Sequence, residues 1–242
     1  MSKVGFILPS SEYLYDPFRG DPHTHLQILT VLDDYFKQKI DTSLIDLRGI
    51  KKNFAINHIP EKDIYLYSVF TLDYHENESI VKSLRERYPK SLHVAGGPHV
   101  SSFKEESLKI FDSIVLGDGE ESVKKIIEDV EKNQLKQVYV QEEEINLDNY
   151  PYPSRHYLPK SATVRKNMMN VRAKKQYDEM PGTTAIFSRG CPCNCHFCAI
   201  PEMRKYNPRI RTKNPKLIED EIEYLKKDYG IKVINILDEV GI

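Results

Sequence analysis

The chain has four cysteines, Cys191, Cys193, Cys195 and Cys198, and all fall within SRGCPCNCHFCAI, from Ser188 to Ile200. Thiols packed this densely bind zinc, exchange redox equivalents or hold an iron–sulfur cluster. They are too close together for good non-local disulfides, and clusters of this kind more often bind metal. Structural zinc takes four ligands, commonly as two separated C-x2–4-C pairs. No second pair exists, and His196 lies between cysteines where it cannot easily turn back to the same ion. Four thiols exceed what a redox site needs. Cys191, Cys195 and Cys198 have the spacing C-x3-C-x2-C. Three thiolates on a cubane [4Fe–4S] cluster leave one iron without a protein ligand, and an open position is what a metal needs for chemistry. Cys193 fits no ligand position and reads as a spare thiol.

The elements around the loop read as follows. TTAIFS, from Thr183, is a short strand running directly into the cysteines, at the carboxyl end where barrel enzymes put their active sites. A helix is marked by Asn214 as N-cap, Pro215 at its first position and Gly230 as C-cap, with Leu217, Ile218, Ile222 and Leu225 as its core face. The strand KVINIL then ends in Asp238 and Glu239.

Upstream, five apolar strands alternate with helices: VGFIL (Val4 to Leu8), SLIDL (Ser43 to Leu47), IYLYSVF (Ile64 to Phe70), LHVAG (Leu92 to Gly96) and SIVLG (Ser113 to Gly117). That alternation predicts an α/β, flavodoxin-like doubly wound parallel sheet. Such sheets bind ligands at their carboxyl ends. There the sequence places Ser68 and Thr71, then Gly96 and Gly97 in GGPHVS, then Gly117, Gly119 and Glu120 in GDGEES. Glycines at these turns admit a bulky ligand or simply make strand-to-helix turns. The predicted domains are 1–133, a linker over 134–180, and 181–242. The linker holds NLDNYPYPSRHYLPK and the basic residues Arg165, Lys166, Arg172, Lys174 and Lys175, and reads as solvated.

Net charge is −1, with 40% hydrophobic and 29% charged residues, which gives no reason to expect nucleic-acid or acidic-membrane partners. No apolar run approaches a membrane span. MSKVGFILPSSEYLYD is too short in its apolar run for a signal peptide, so the chain reads as cytoplasmic.

C-x3-C-x2-C after a strand, with Phe197 before the last cysteine, resembles the signature of radical S-adenosylmethionine enzymes. SRGCP, RIRTKNPKLIEDEIEYL and a strand ending in Asp-Glu look like the start of their barrel. NYPYPSR, GGPHVS and VLGDGEES resemble the linker and strand turns of members with an amino-terminal cobalamin-binding domain. The resemblance covers nearly the whole chain.

It implies that Cys191, Cys195 and Cys198 ligate a [4Fe–4S] cluster whose open iron binds S-adenosylmethionine. An electron, from a reductant such as flavodoxin or ferredoxin, then yields a 5′-deoxyadenosyl radical that attacks a small-molecule substrate. Phe197 would lie near the adenine. Asp238 and Glu239 would meet the methionine moiety, or stand as a solvated strand end. Cobalamin would bind through Ser68, Thr71, Gly96, Gly97, Gly117, Gly119 and Glu120, for methyl transfer or rearrangement. The cobalt-ligating D-x-H-x-x-G motif of other cobalamin domains has its nearest match at Asp21-Pro22-His23, without the glycine. Asp21 reads instead as a helix N-cap.

Two alternatives remain. An RNA methylthiotransferase would carry further cysteines in the first domain, where this chain has none. A binding module would hold cobalamin or a cluster without catalysis. The 60 residues from Thr183 to Ile242 hold two strands and one helix, whereas a complete eight-unit barrel takes roughly 250. The expectation is a truncated barrel start, inactive alone: a fragment, a truncated gene product, or one half of a split enzyme whose activity a second chain with the missing units would restore.

Overall fold

The computed structural model describes residues 1–37, 39–166 and 180–240. Arg172, Lys174 and Lys175 of the basic stretch lie outside the described residues.

Six parallel strands form one sheet: β1 (Lys3–Leu8), β2 (Asp41–Asp46), β3 (Ile64–Ser68), β4 (Leu92–Gly96), β5 (Ser113–Leu116) and β6 (Val138–Val140), in the order β2-β1-β3-β4-β5-β6. Every residue of β3 and β5 is buried, as expected of central parallel strands covered on both faces. Alternate side chains serve opposite layers. Val4, Phe6, Leu66, Val94 and Val115 pack under α1 (His23–Phe36) and α4 (Glu120–Glu131). Ile7, Tyr65, Tyr67, Ala95 and Ile114 pack under α2 (Tyr74–Arg87) and α3 (Pro98–Ser102).

The first five strands follow the sequence reading, with β2 beginning two residues earlier than expected. The sixth does not. β6 lies in the stretch read as linker, beyond residue 133. Its three residues, flanked by polar ones, are too few to show an alternating pattern.

After the sheet, β7 (Gly182–Ala185) pairs in parallel with β10 (Val233–Ile236), and α6 (Pro215–Tyr229) makes the crossover between them. β8 (Ser188–Arg189) and β9 (Arg211–Thr212) form an antiparallel pair. Between these two strands run the cysteine loop and the one-turn α5 (Ile200–Met203). The caps of α6 are those expected. Asn214 accepts a hydrogen bond from the Lys216 amide, and Gly230 is left-handed with φ 68°. Its buried face is different. Leu225 and Glu221 are buried, while Leu217, Ile218 and Ile222 are only half-buried.

Candidate functional site

A cavity of about 440 Å³ opens at the carboxyl ends of β3, β4 and β5. Phe6, Ile28, Leu66, Val94, Val115 and Val123 line its apolar part, between the sheet and helices α1 and α4. Ser68, Gly96, Gly97, Gly117, Gly119 and Glu120 line it at the strand ends, as the sequence suggested. Ser188 and Arg189 of β8, with Ile186, Phe187, Gly190 and Glu239 beside the short strands, contribute from the carboxyl-terminal part. One cavity is thus built by both parts of the chain. Thr71, Asp238, Phe197 and the four cysteines are not among its lining residues. The Thr71 hydroxyl instead pairs with His99 Nδ1 at 3.2 Å, and Phe197 is 94% exposed.

Two of the glycines have a reason independent of any ligand. Gly97 has φ +99°, and a Cβ there would sit 2.9 Å from both Val69 N and O. Gly117 has φ +96°, and a Cβ would meet Gln141 Oε1 at 2.6 Å and Tyr206 Cβ at 3.0 Å. Both positions exclude an L side chain on backbone and space together.

The strand-end turn GDGEES is tied to the segment that leads into the cysteines. Arg189 donates to Glu120 Oε1 at 2.6 Å and lies 3.3 Å from Asp118 Oδ1. Arg211 bonds the other Asp118 oxygen. Burial pushes the Arg189 pKa down, but the Glu120 and Asp118 carboxylates outweigh it and hold the pKa above its ordinary value. Glu120 therefore lines the cavity with one oxygen committed to Arg189.

The cysteine loop is braced from β10 and from α5. Asp238 accepts from Phe187 N at 2.8 Å and from Ser188 Oγ at 2.7 Å. Glu239 accepts from Gly190 N at 3.2 Å. Neither is simply a solvated strand end. Arg204, just past α5, donates to Pro192 O, Cys193 O and Asn194 Oδ1. Cys191 is half-buried, the other cysteines are exposed, and none is in a disulfide. The Cys198 amide closes a turn onto Cys195 O at 3.1 Å. In kind, the donor set fits an iron–sulfur cluster: three free thiols on one braced loop. Among the described residues, no group of three His, Cys, Asp or Glu side chains already stands where it could hold a metal ion.

Asp21 and His23 take roles the sequence did not suggest. Asp21 does not cap α1, whose N-cap position is Pro22 without a side-chain bond. It is buried and accepts from Arg155 Nε at 3.4 Å, an Arg165 guanidinium nitrogen at 2.8 Å and Thr183 Oγ1 at 2.9 Å. Arg155, the arginine of NYPYPSR, is 0% exposed and also donates to Glu221 Oε1 at 3.0 Å and Thr184 O at 3.2 Å. Lys213 bonds the other Glu221 oxygen at 2.9 Å. The stretch read as a solvated linker is therefore, over these residues, a buried ionic joint between α1, β7 and α6. His23 lines the cavity, but its Nε2 pairs with Thr184 Oγ1 at 2.8 Å. Burial, then the charges of Arg155, Lys213 and Arg165, lower its pKa to about 3. With Nε2 engaged, this ring is not set up as a cobalt ligand through that atom. The partners of Arg155 and Arg204 are not legible in the sequence, because a charge in a polar stretch reads as solvated until its remote partners are known.

A doubly wound sheet, a cysteine loop heading a second βα unit and a cavity between them make up the architecture. It matches a solved structure in fold. That structure is OxsB, a cobalamin-dependent S-adenosylmethionine radical enzyme with aqua-cobalamin bound; it matches with a TM-score of 0.61 at 22% identity, over 99% of this chain and 34% of that one.

Among curated relatives, an uncharacterized methyltransferase of Pyrococcus horikoshii is 24% identical over 98% of this chain and 53% of its own length. The bacteriochlorophyllide d C-8(2)-methyltransferase of Chlorobaculum tepidum is 29% identical over 55% of this chain and 27% of its own. The anaerobic magnesium-protoporphyrin IX monomethyl ester cyclase of Synechocystis is 29% identical over 64% and 32%. The chain spans about half the length, or less, of these relatives. No protein-family model matches it. The resemblance read from the cysteine spacing and strand turns is borne out in these relatives. No helix among the described residues is long and apolar enough to cross a membrane.

Proposed function

We propose that this chain forms the cobalamin-binding domain and first barrel unit of a radical S-adenosylmethionine enzyme that transfers a methyl group to an unreactive position of a small molecule. One observation carries the reading: the cavity at the sheet's carboxyl ends is walled on its far side by the residues that lead into the C-x3-C-x2-C loop. Cobalamin held over the sheet would therefore lie against the segment that leads into the cluster loop.

In this reading Cys191, Cys195 and Cys198 hold the cluster. Ser68, Gly96, Gly97, Gly117, Gly119 and Glu120 cradle cobalamin. The apolar part between the sheet and helices α1 and α4 takes part of that ligand. When bound, the cluster supplies the electron that cleaves S-adenosylmethionine, and cobalamin carries the methyl group. The chain's own residues position and shield. Asp238 and Glu239 brace the loop through Phe187, Ser188 and Gly190, and they stay candidates for the methionine moiety, Glu239 from the cavity wall. Phe197 remains a candidate for the adenine. The absence of cysteines before Cys191 disfavours the RNA methylthiotransferase alternative.

The test has two spectroscopic arms on the same chain. Mixed with hydroxocobalamin and dialysed, the chain should retain a cobalamin absorption band. Reconstituted anaerobically with iron and sulfide, it should gain a visible cluster band. A folded chain that retains no cobalamin overturns the first assignment, and one that takes up no iron overturns the second. A non-catalytic module would pass both arms yet form no 5′-deoxyadenosine when the rest of a barrel is supplied.

A further inference from the structure

The span between the first two proposed ligands, Pro192 to Asn194, has no regular secondary structure. Three hydrogen bonds to this span come from one residue. Arg204 places one guanidinium nitrogen 3.2 Å from Pro192 O and the other 2.9 Å from Cys193 O and 3.1 Å from Asn194 Oδ1. A planar fork can hold two successive carbonyls in a fixed relation, which a single ammonium on a flexible stem does not. The arginine is itself anchored. Its amide donates to Ile200 O at 3.0 Å, so α5, which starts just after Cys198, carries it back across the loop.

From this geometry we infer that Arg204 is a positioning residue that orders the span between Cys191 and Cys195, so that less of the loop has to be ordered when three thiolates close on a metal. The inference rests on the iron–sulfur reading above and adds to it. Asp238 and Glu239 fix where the loop starts, through residues 187, 188 and 190. The Cys195–Cys198 turn fixes where it ends. Arg204 fixes the stretch between. Without it, the entropy of ordering that stretch is charged against cluster binding. Outer partners that orient metal ligands typically change metal affinity by about 10- to 100-fold when removed.

The experiment compares the unsubstituted chain with Arg204→Gln, Arg204→Lys and Lys205→Gln. Each is reconstituted anaerobically with limiting ferrous iron and sulfide, then challenged with a chelator, and iron per chain is measured. Arg204→Gln should lose iron to the chelator at concentrations about 10-fold lower or more. Arg204→Lys, which keeps the charge but not the fork, should rescue only partly. Lys205→Gln, which removes a neighbouring charge that does not touch the loop span, should match the unsubstituted chain.

Amide order parameters for residues 193–195 in the metal-free chain give a readout that does not need the cluster. They should fall in Arg204→Gln while the denaturation midpoint stays unchanged. Equal iron retention in Arg204→Gln, equal loss in Lys205→Gln, full rescue by lysine or unchanged loop order would each overturn the inference. A fall in the global midpoint that accounts for the lost iron would also overturn it, by showing a role in folding. If the unsubstituted chain takes up no iron, the iron–sulfur reading fails instead, and the order parameters still decide whether Arg204 holds the loop.

Discussion

Cys193 sits inside the ligand loop yet outside its spacing. Its thiol is exposed, and its pKa is held up, first by a hydrogen bond with Cys191. Substituting Cys193 with serine should leave iron content after anaerobic reconstitution unchanged, whereas Cys195→Ser should abolish it. The reverse pattern would place the ligand register elsewhere. A second prediction at this scale concerns Gly97. An alanine there needs both a left-handed backbone and room 2.9 Å from the Val69 amide and carbonyl. Gly97→Ala should destabilise the chain by about 1–3 kcal/mol, read as a lower urea midpoint. An unchanged midpoint would mean that the end of β3 shifts freely.

At the scale of elements, sequence pattern served best where an element carries its own signals. The α6 helix announces itself through Asn214, Pro215 and Gly230, and the structure keeps all three at the expected caps. The strands β1, β3, β4 and β5 are apolar runs long enough to read. β6 is not: its burial comes from pairing with β5, a tertiary fact absent from three residues of pattern. The same holds for the face of α6. Glu221 is buried there because Arg155 and Lys213 come to it from outside the helix. Arg155 was visible in NYPYPSR only as part of a motif, and nothing local says that it joins α1 to β7 and α6.

Removing it makes the prediction for this scale. Arg155→Met leaves Asp21 and Glu221 buried with one fewer cation, although Arg165 and Lys213 remain. Breaking a buried ion pair from one side costs about 3–5 kcal/mol. The denaturant midpoint should drop accordingly, and a loss below about 1 kcal/mol would show that the remaining cations suffice.

For the whole molecule, the buried histidines set the response to acid. Burial is the first cause in each case, lowering the pKa of His23 to about 3 and those of His25 and His93 to about 4. The unfolded chain takes these protons near 6.5, so between that value and 3 to 4 it binds more protons than the folded chain. Their contribution to stability is complete above pH 6.5 and declines as pH falls through that window, by about 1.4 kcal/mol per pH unit for each histidine at full slope. Asp73 acts in the opposite sense. Burial raises its pKa to about 6, so the folded chain holds the extra proton between there and the ordinary carboxylate value, and this group adds stability as pH falls. Three histidines outweigh one aspartate. Urea midpoints should therefore fall between pH 7 and pH 5, and a rise would refute the assignment of these rings as buried and neutral. The GDGEES turn is sealed to the β8–β9 pair. Glu120 and Arg189 stand 69 residues apart in the chain, yet they share a bond of 2.6 Å, with Asp118 and Arg211 beside them. A change of charge in GDGEES therefore leaves an unanswered charge in SRGC or RIRT, and the two motifs are expected to change together in related chains, which an alignment of those chains checks.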